Sequence, residues 1–236
     1  PETEQLEEVQ DRPIFTATTR LNAAMQQEAA AALTPKATTV VSWICFGVIA
    51  LMAAQRNPSA RIDAVEIDAG SCADAAENFA GSPWAERLAL FGESFVSFCG
   101  HATRKYDRIV SNPPYFVGSL KCPDPGRTRA RHTDSLPHPE LLAGAAGLLT
   151  EKGCLSVVLP ADGADAFTGQ AARYGLFPAR TLAVCPVPGT VPKRMLIEFR
   201  TFRGGVETEV LAIAPEGGTG YTDRYRALTG DFYLKM

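Results

Sequence analysis

Tyr106-Asp107-Arg108-Ile109-Val110-Ser111-Asn112-Pro113-Pro114-Tyr115 reads as a buried strand running directly into a rigid turn. Aromatic and β-branched residues suit a pleated surface, and the paired prolines end it. Asn112 therefore stands at a strand's carboxyl end, which is where ligands bind in open α/β sheets.

The turn has a definite chemical capacity. An amino group conjugated to an aromatic ring is a poor nucleophile. The Asn112 side-chain carbonyl and the Pro113 backbone carbonyl can accept its two hydrogens and turn its lone pair toward an electrophile. Successive prolines fix φ and remove N–H groups, which keeps those carbonyls stiff. Tyr115 offers a flat apolar face for a base to stack on. A plain proline turn closing a strand is the competing reading, so the rest of the chain has to decide.

Outward from the turn, strand and helix patterns alternate. Upstream, strands are expected at Val40–Phe46, Arg61–Ile67 and Arg87–Phe91, with helices at Val48–Gln55 and Asp68–Ala80. Downstream, Leu141–Leu149 reads as a helix, Gly153–Leu159 as a central parallel strand and Asp162–Tyr174 as a helix. Strands follow at Ala179–Val187, Arg194–Phe202 and Glu207–Ile213, then a closing helix across Thr222–Leu228. This repetition predicts an α/β fold with a mostly parallel doubly wound sheet and an antiparallel C-terminal edge. Residues 1–39 read as an atypical N-terminal segment, an acidic tail over Pro1–Gln10 and a helix over Thr19–Leu33. Residues 40–236 read as one domain.

Composition narrows the classes. The chain has 236 residues and a formal charge of −3, so any nucleic-acid surface must be local. Six cysteines are scattered singly, with no paired or Cys/His metal spacing. We expect reduced core cysteines in a cytoplasmic protein without a metal. The apolar run Val40–Ala54 is too short to span a membrane. No Gly-x-Ser-x-Gly elbow or Walker-type loop occurs.

The strand Ile62-Asp63-Ala64-Val65-Glu66-Ile67-Asp68 ends in acids. In nucleotide-binding α/β folds a carboxylate there can accept ribose hydroxyls. Glu66 is the candidate, with Asp68 capping the next helix.

From about Gly47 onward the chain resembles the bacterial tRNA1(Val) (adenine37-N6)-methyltransferases. The matching pieces are Ile49-Ala50-Leu51-Met52-Ala53-Ala54-Gln55-Arg56, Ala64-Val65-Glu66-Ile67, Ser82-Pro83-Trp84-Ala85-Glu86-Arg87, Ser111-Asn112-Pro113-Pro114-Tyr115 and Ala130-Arg131-His132-Thr133. Val158-Leu159-Pro160 and Ala227-Leu228-Thr229-Gly230-Asp231-Phe232-Tyr233-Leu234 belong as well. The resemblance implies a Rossmann-like fold that uses S-adenosylmethionine to methylate N6 of an adenine in tRNA. It implies that Asn112, Pro113 and Tyr115 are catalytic and that Gly47, Glu66, Glu93, Phe95 and Asn112 hold the cofactor, Glu93 or Phe95 at its adenine.

One departure stands out. A glycine-rich loop should follow the first strand, because its glycines let backbone approach the cofactor. Here Val41-Ser42-Trp43-Ile44-Cys45-Phe46-Gly47 keeps only Gly47, and Trp43 and Phe46 add bulk. Three explanations compete: the site is lost, it is rebuilt differently, or the first ~46 residues come from another reading frame. The abrupt onset of the resemblance favours the frame change.

Cations follow the turn: Lys121, Arg127, Arg129, Arg131 and His132, in a loop marked by Pro123, Pro125 and Gly126. Guanidinium groups at that spacing can contact successive phosphates. Lys193 and Arg194 form a second basic candidate. Pro114, Phe116, Lys121, Arg129, Arg131, His132 and Arg194 are therefore the substrate-binding candidates, on a monomer that takes tRNA. Two alternatives remain open: a tRNA-binding protein with a non-functional cofactor site, and a protein glutamine N5-methyltransferase, whose amide substrate would suit the same turn.

Overall fold

The computed structural model describes residues 38–42, 47–113 and 136–232. The expected tail over Pro1–Gln10 and helix over Thr19–Leu33 lie outside them. In chain order the elements are β1 (Thr38–Ser42), α1 (Val48–Arg56), β2 (Arg61–Val65), α2 (Ala69–Ala80), β3 (Leu88–Phe91), α3 (Phe95–His101) and β4 (Tyr106–Ser111). After these come α4 (His138–Leu148), β5 (Leu149–Pro160), α5 (Ala164–Arg173), β6 (Phe177–Cys185), β7 (Arg194–Arg200), β8 (Glu207–Ala212) and α6 (Asp223–Thr229).

Among the described residues the eight strands form one sheet, ordered β3-β2-β1-β4-β5-β7-β6-β8. Neighbours from β3 through β5 run parallel. The antiparallel strand is β7, inserted between β5 and β6, and β8 then pairs parallel with β6. The chain steps outward from β1 to β3 and then crosses to β4 on the other side of β1. The crevice between β1 and β4 is therefore the topological switch point, where this kind of sheet binds ligands.

Alternation along the strands sends side chains into two layers. Ile62, Ala64 and Val110 pack with Ile49, Ala50 and Ala53 of α1 and with Ala75 and Phe79 of α2. On the other face Val65, Ile109, Leu155 and Val157 meet Phe95 and Phe98 of α3, Leu141 and Leu142 of α4, and Phe167 of α5. A third cluster under α6 joins Val158, Val184, Leu196, Leu211 and Tyr225 on the α1 face.

Several boundaries differ from expectation for local reasons. β1 starts at Thr38, where Thr38 N–H donates to Asp107 Oδ2 at 2.9 Å, so the sheet takes in two residues before the expected domain boundary. β5 starts four residues early, at Leu149, because its register with β4 shifts between Tyr106 and Arg108. Gly153 permits that shift, since a Cβ there would stand 2.8 Å from the Tyr106 carbonyl oxygen. α3 was not expected. Phe, Val, Ser, Cys and Gly are weak helix formers, but the Ser94 hydroxyl caps the helix by accepting from Ser97 N–H at 3.1 Å.

Candidate active site

Three strand ends set the site's geometry. Ser42 of β1 is paired with Val65 of β2 on one side and with Ser111 of β4 on the other. The residues that follow, Glu66 and Asn112, therefore stand level at the carboxyl edge, about 10 Å apart across two strand spacings. They flank the switch point.

Glu66 is buried, 7% exposed. Its Oε1 accepts from the Ile67 N–H at 2.9 Å and the Asp68 N–H at 3.0 Å, which fixes the carboxylate. Oε2 takes no hydrogen bond from the described residues. Asp68 caps α2 as the sequence suggests: Oδ2 accepts from Ser71 N–H at 2.7 Å, and that bond holds its carboxyl below the usual range. Between the two acids Ile67 is 40% exposed, an apolar surface the sequence reading did not single out. Cys72 donates to the Glu66 carbonyl at 3.2 Å; burial first, then the charges of Glu66 and Asp68, push its thiol up.

Asn112 is also buried, 7% exposed, and Ser111 beneath it is fully buried. Pro113 is buried beside them. By the strand's alternation Asn112 lies on the same side as Val110, the face covered by α1 and α6.

Gly47 is held for two reasons. Its φ of 80° lies in the left-handed region, and a Cβ there would meet Phe79 Cε1 at 2.7 Å and Ala75 Cβ at 3.1 Å. It lets the start of α1 press against α2 directly beside the switch point.

Glu93 and Phe95 follow β3. Glu93 Oε2 accepts from the Ser97 hydroxyl, and Oε1 lies 2.8 Å from His101 Nε2. The Ser97 bond, and to a lesser degree His101, holds the Glu93 carboxyl below the usual range. Phe95 is 4% exposed and packs with Phe98 in the core under α3. Both side chains are thus engaged by α3.

Arg194 opens β7 and lies half-buried at the same edge, opposite Pro160 at the end of β5. Trp43, Phe46, Pro114, Tyr115, Phe116, Lys121, Arg127, Arg129, Arg131 and His132 lie outside the described residues. Among the described residues, no group of three or more His, Cys, Asp or Glu side chains could hold a metal ion, and no helix is long and apolar enough to cross a membrane.

Comparison with known proteins shows the family. Residues 31–163 match the family model described as the methyltransferase small domain, a match that takes in residues 31–46. A tRNA1(Val) (adenine(37)-N6)-methyltransferase of Bacteroides fragilis is 44% identical over 191 residues, 80% of this chain and 80% of its own length. The chain belongs to this family of methyltransferases. The relative of the same name from Enterobacter sp. is 39% identical over 192 residues, 80% of this chain and 78% of its own. A solved structure from Agrobacterium tumefaciens, described as a predicted O-methyltransferase, superposes with a TM-score of 0.70 at 14% identity. It covers 88% of this chain and 95% of that one, which shows the shared Rossmann-like fold.

Two of this methyltransferase's narrower sequence pieces have structural work. In Ser82–Arg87 the Arg87 guanidinium donates to the carbonyls of Ala54 at 2.9 Å, Asn57 at 2.9 Å and Ala60 at 2.8 Å. It closes the end of α1 and the turn into β2. In the C-terminal piece Asp231 pairs with Arg56 at 2.8 Å, and Arg56 lies over the Phe232 ring at 5.0 Å. Neither contact lies at the carboxyl edge: both fasten α1, whose other end is Gly47.

Proposed function

We propose that this methyltransferase transfers a methyl group from S-adenosylmethionine to the N6 amine of adenine in tRNA, at position 37 of a valine tRNA. The observation that carries the reading is the placement of Asn112 and Pro113 at the switch point, where β4 ends, level with the fixed carboxylate of Glu66. Incubation with methyl-labelled S-adenosylmethionine and a tRNA1(Val) transcript should label the RNA, and an A37→G transcript should stay unlabelled. Label on the altered transcript would sink the assignment.

The residues present suit the ribose end of the cofactor. Glu66 is fixed through Oε1 and keeps Oε2 for a hydroxyl donor, and the exposed Ile67 provides an apolar surface for the neighbouring base. Gly47, by letting α1 close against α2, sets the wall of the crevice beside them. Bound there, S-adenosylmethionine supplies an electrophilic methyl group.

The chain's own groups do the remaining work. Asn112 Oδ1 and the Pro113 carbonyl accept the two amine hydrogens, which fixes the nitrogen and aims its lone pair. In the sequence Pro114 and Tyr115 come next, and the Tyr115 ring has the chemistry to stack on a flipped base. No strong base is required, because the amine proton becomes acidic once the nitrogen has attacked. Rate acceleration rests on orientation at a stiff turn.

Trp43 and Phe46 favour a second reading, a tRNA-binding protein that does not take the cofactor. Calorimetry separates the two: heat on titrating S-adenosylmethionine supports the enzyme, and its absence with tRNA binding retained supports the second. The glutamine methyltransferase alternative predicts label on a release factor and none on tRNA.

A further inference from the structure

Charge is distributed unevenly along the carboxyl edge. The β2–β3 end carries Glu66, Asp68 and Glu93. The β6–β7 end carries Lys193, in the connection Pro186-Val187-Pro188-Gly189-Thr190-Val191-Pro192-Lys193, and Arg194, the first residue of β7.

This connection is braced on every side. Lys193 N–H donates to the Val184 carbonyl at 2.8 Å, and the Lys193 carbonyl accepts from Ala161 N–H at 3.3 Å, just past β5. Thr190 Oγ1 donates to the Val187 carbonyl at 2.7 Å, and Gly189 takes the left-handed φ of 74° that the tight turn requires. The segment just past β8 adds Ile213 N–H to the Cys185 carbonyl and Ala214 N–H to the Pro186 carbonyl, both at 2.9 Å. On this braced loop Val191 is 76% exposed, although it is apolar, and Lys193 is exposed. The Arg194 guanidinium donates to the Lys193 main-chain carbonyl at 2.9 Å, which holds it against the loop backbone.

Register connects the loop to the turn. Arg194 is paired with Pro160, and Ser111 with Val157. Two strand spacings sideways and two residues along place the Arg194 backbone roughly 12 Å from that of Asn112. Arg194 alternates in phase with Leu196, which packs in the cluster under α6, so it shares the α6 side with Asn112. The nearby acids Asp162 and Asp165 belong to the opposite face, at the start of α5, where they answer that helix's dipole. Among the described residues Glu216, in the segment after β8, is a further acid on this side.

We propose that the β6–β7 loop is a docking platform for the RNA strand on one side of the target nucleotide, with Lys193 and Arg194 holding phosphates and Val191 packing on a ribose or base. The proposal rests on the tRNA reading above and gives it a direction. RNA crosses the edge from the β7 side toward the turn, and the acids at β2 and β3 keep phosphates away from the cofactor end.

The test is a titration of a labelled tRNA1(Val) transcript at several potassium chloride concentrations. Each lost phosphate contact should flatten the dependence of log affinity on log salt by about 0.7–0.9. Lys193→Gln should flatten it by about one such step, and Lys193→Gln with Arg194→Gln by about two. Val191→Ser should weaken binding by about three- to tenfold with the salt slope unchanged. Because Lys193 and Val191 are exposed, their single substitutions read the platform without disturbing the core. Unchanged affinity and slope in both singles, with wild-type protein binding the transcript, would overturn the platform and leave the methyl-transfer reading standing. Wild-type protein that fails to bind the transcript would remove both.

Discussion

Tyr106 donates its phenolic hydrogen to Asp63 Oδ2 at 2.5 Å, joining β4 to β2 across β1 inside the core. Both residues are almost fully buried. Burial first, then the bonded Asp63 carboxylate, raises the Tyr106 pKa above its ordinary value near 10. A raised folded-state value contributes stability that is complete below the unfolded value and is lost as pH rises through the folded one. Stability should therefore decline above pH ~10. Tyr106→Phe removes that alkaline decline and leaves Asp63 buried without its donor, at a cost of about 1–3 kcal/mol at neutral pH. Urea melts of both proteins at pH 7 and pH 10.5 would reveal it, and identical pH dependence would count against this account.

Arg87→Ala should be among the most damaging substitutions away from the carboxyl edge. It strands three carbonyls at the end of α1 and costs about 2–4 kcal/mol. Arg87→Lys should recover only part, since an ammonium cannot reproduce the guanidinium fork. Equilibrium unfolding measures both variants, and wild-type stability in Arg87→Ala would exclude the role.

Gly47→Ala forces a Cβ against Phe79 in a backbone region that disfavours it. We expect a loss of about 1–3 kcal/mol. Adding Phe79→Leu should relieve the collision but not the backbone term, so the double variant should lie between the two. Additive losses would mean that the contact is unimportant.

Glu66→Ala should reduce S-adenosylmethionine affinity at least ~10-fold, the scale of a charge-assisted hydrogen bond. Tight cofactor binding by the variant in calorimetry would remove Glu66 from the site. Asn112→Ala should abolish methylation while tRNA affinity changes little. Retained turnover would refute the amine-holding role of its carbonyl.

Much of this architecture can be read from residue order. The apolar runs of β2, β4 and β5 and the cap Asp68 carry their structure locally, and Asn112 declares its position by following a strand. Sheet order does not show in that way: nothing local to β7 says that it inserts between β5 and β6. α3 escaped because its residues have poor propensity and only Ser94 and the Phe95/Phe98 spacing mark it. The engagement of Glu93 with Ser97 and His101 depends on that helix, so it was hidden for the same reason. The early start of β5 turns on one glycine's clearance from a neighbouring carbonyl, which no propensity records.

The Arg56–Asp231 pair has a consequence in time. A ribosome makes Arg56 175 residues before Asp231, which at ~5–20 residues per second is roughly 9 to 35 s. Through that interval the nascent chain carries α1 without the clasp that fastens its far end. The nascent protein therefore secures the wall of its own crevice only once Asp231 has been made.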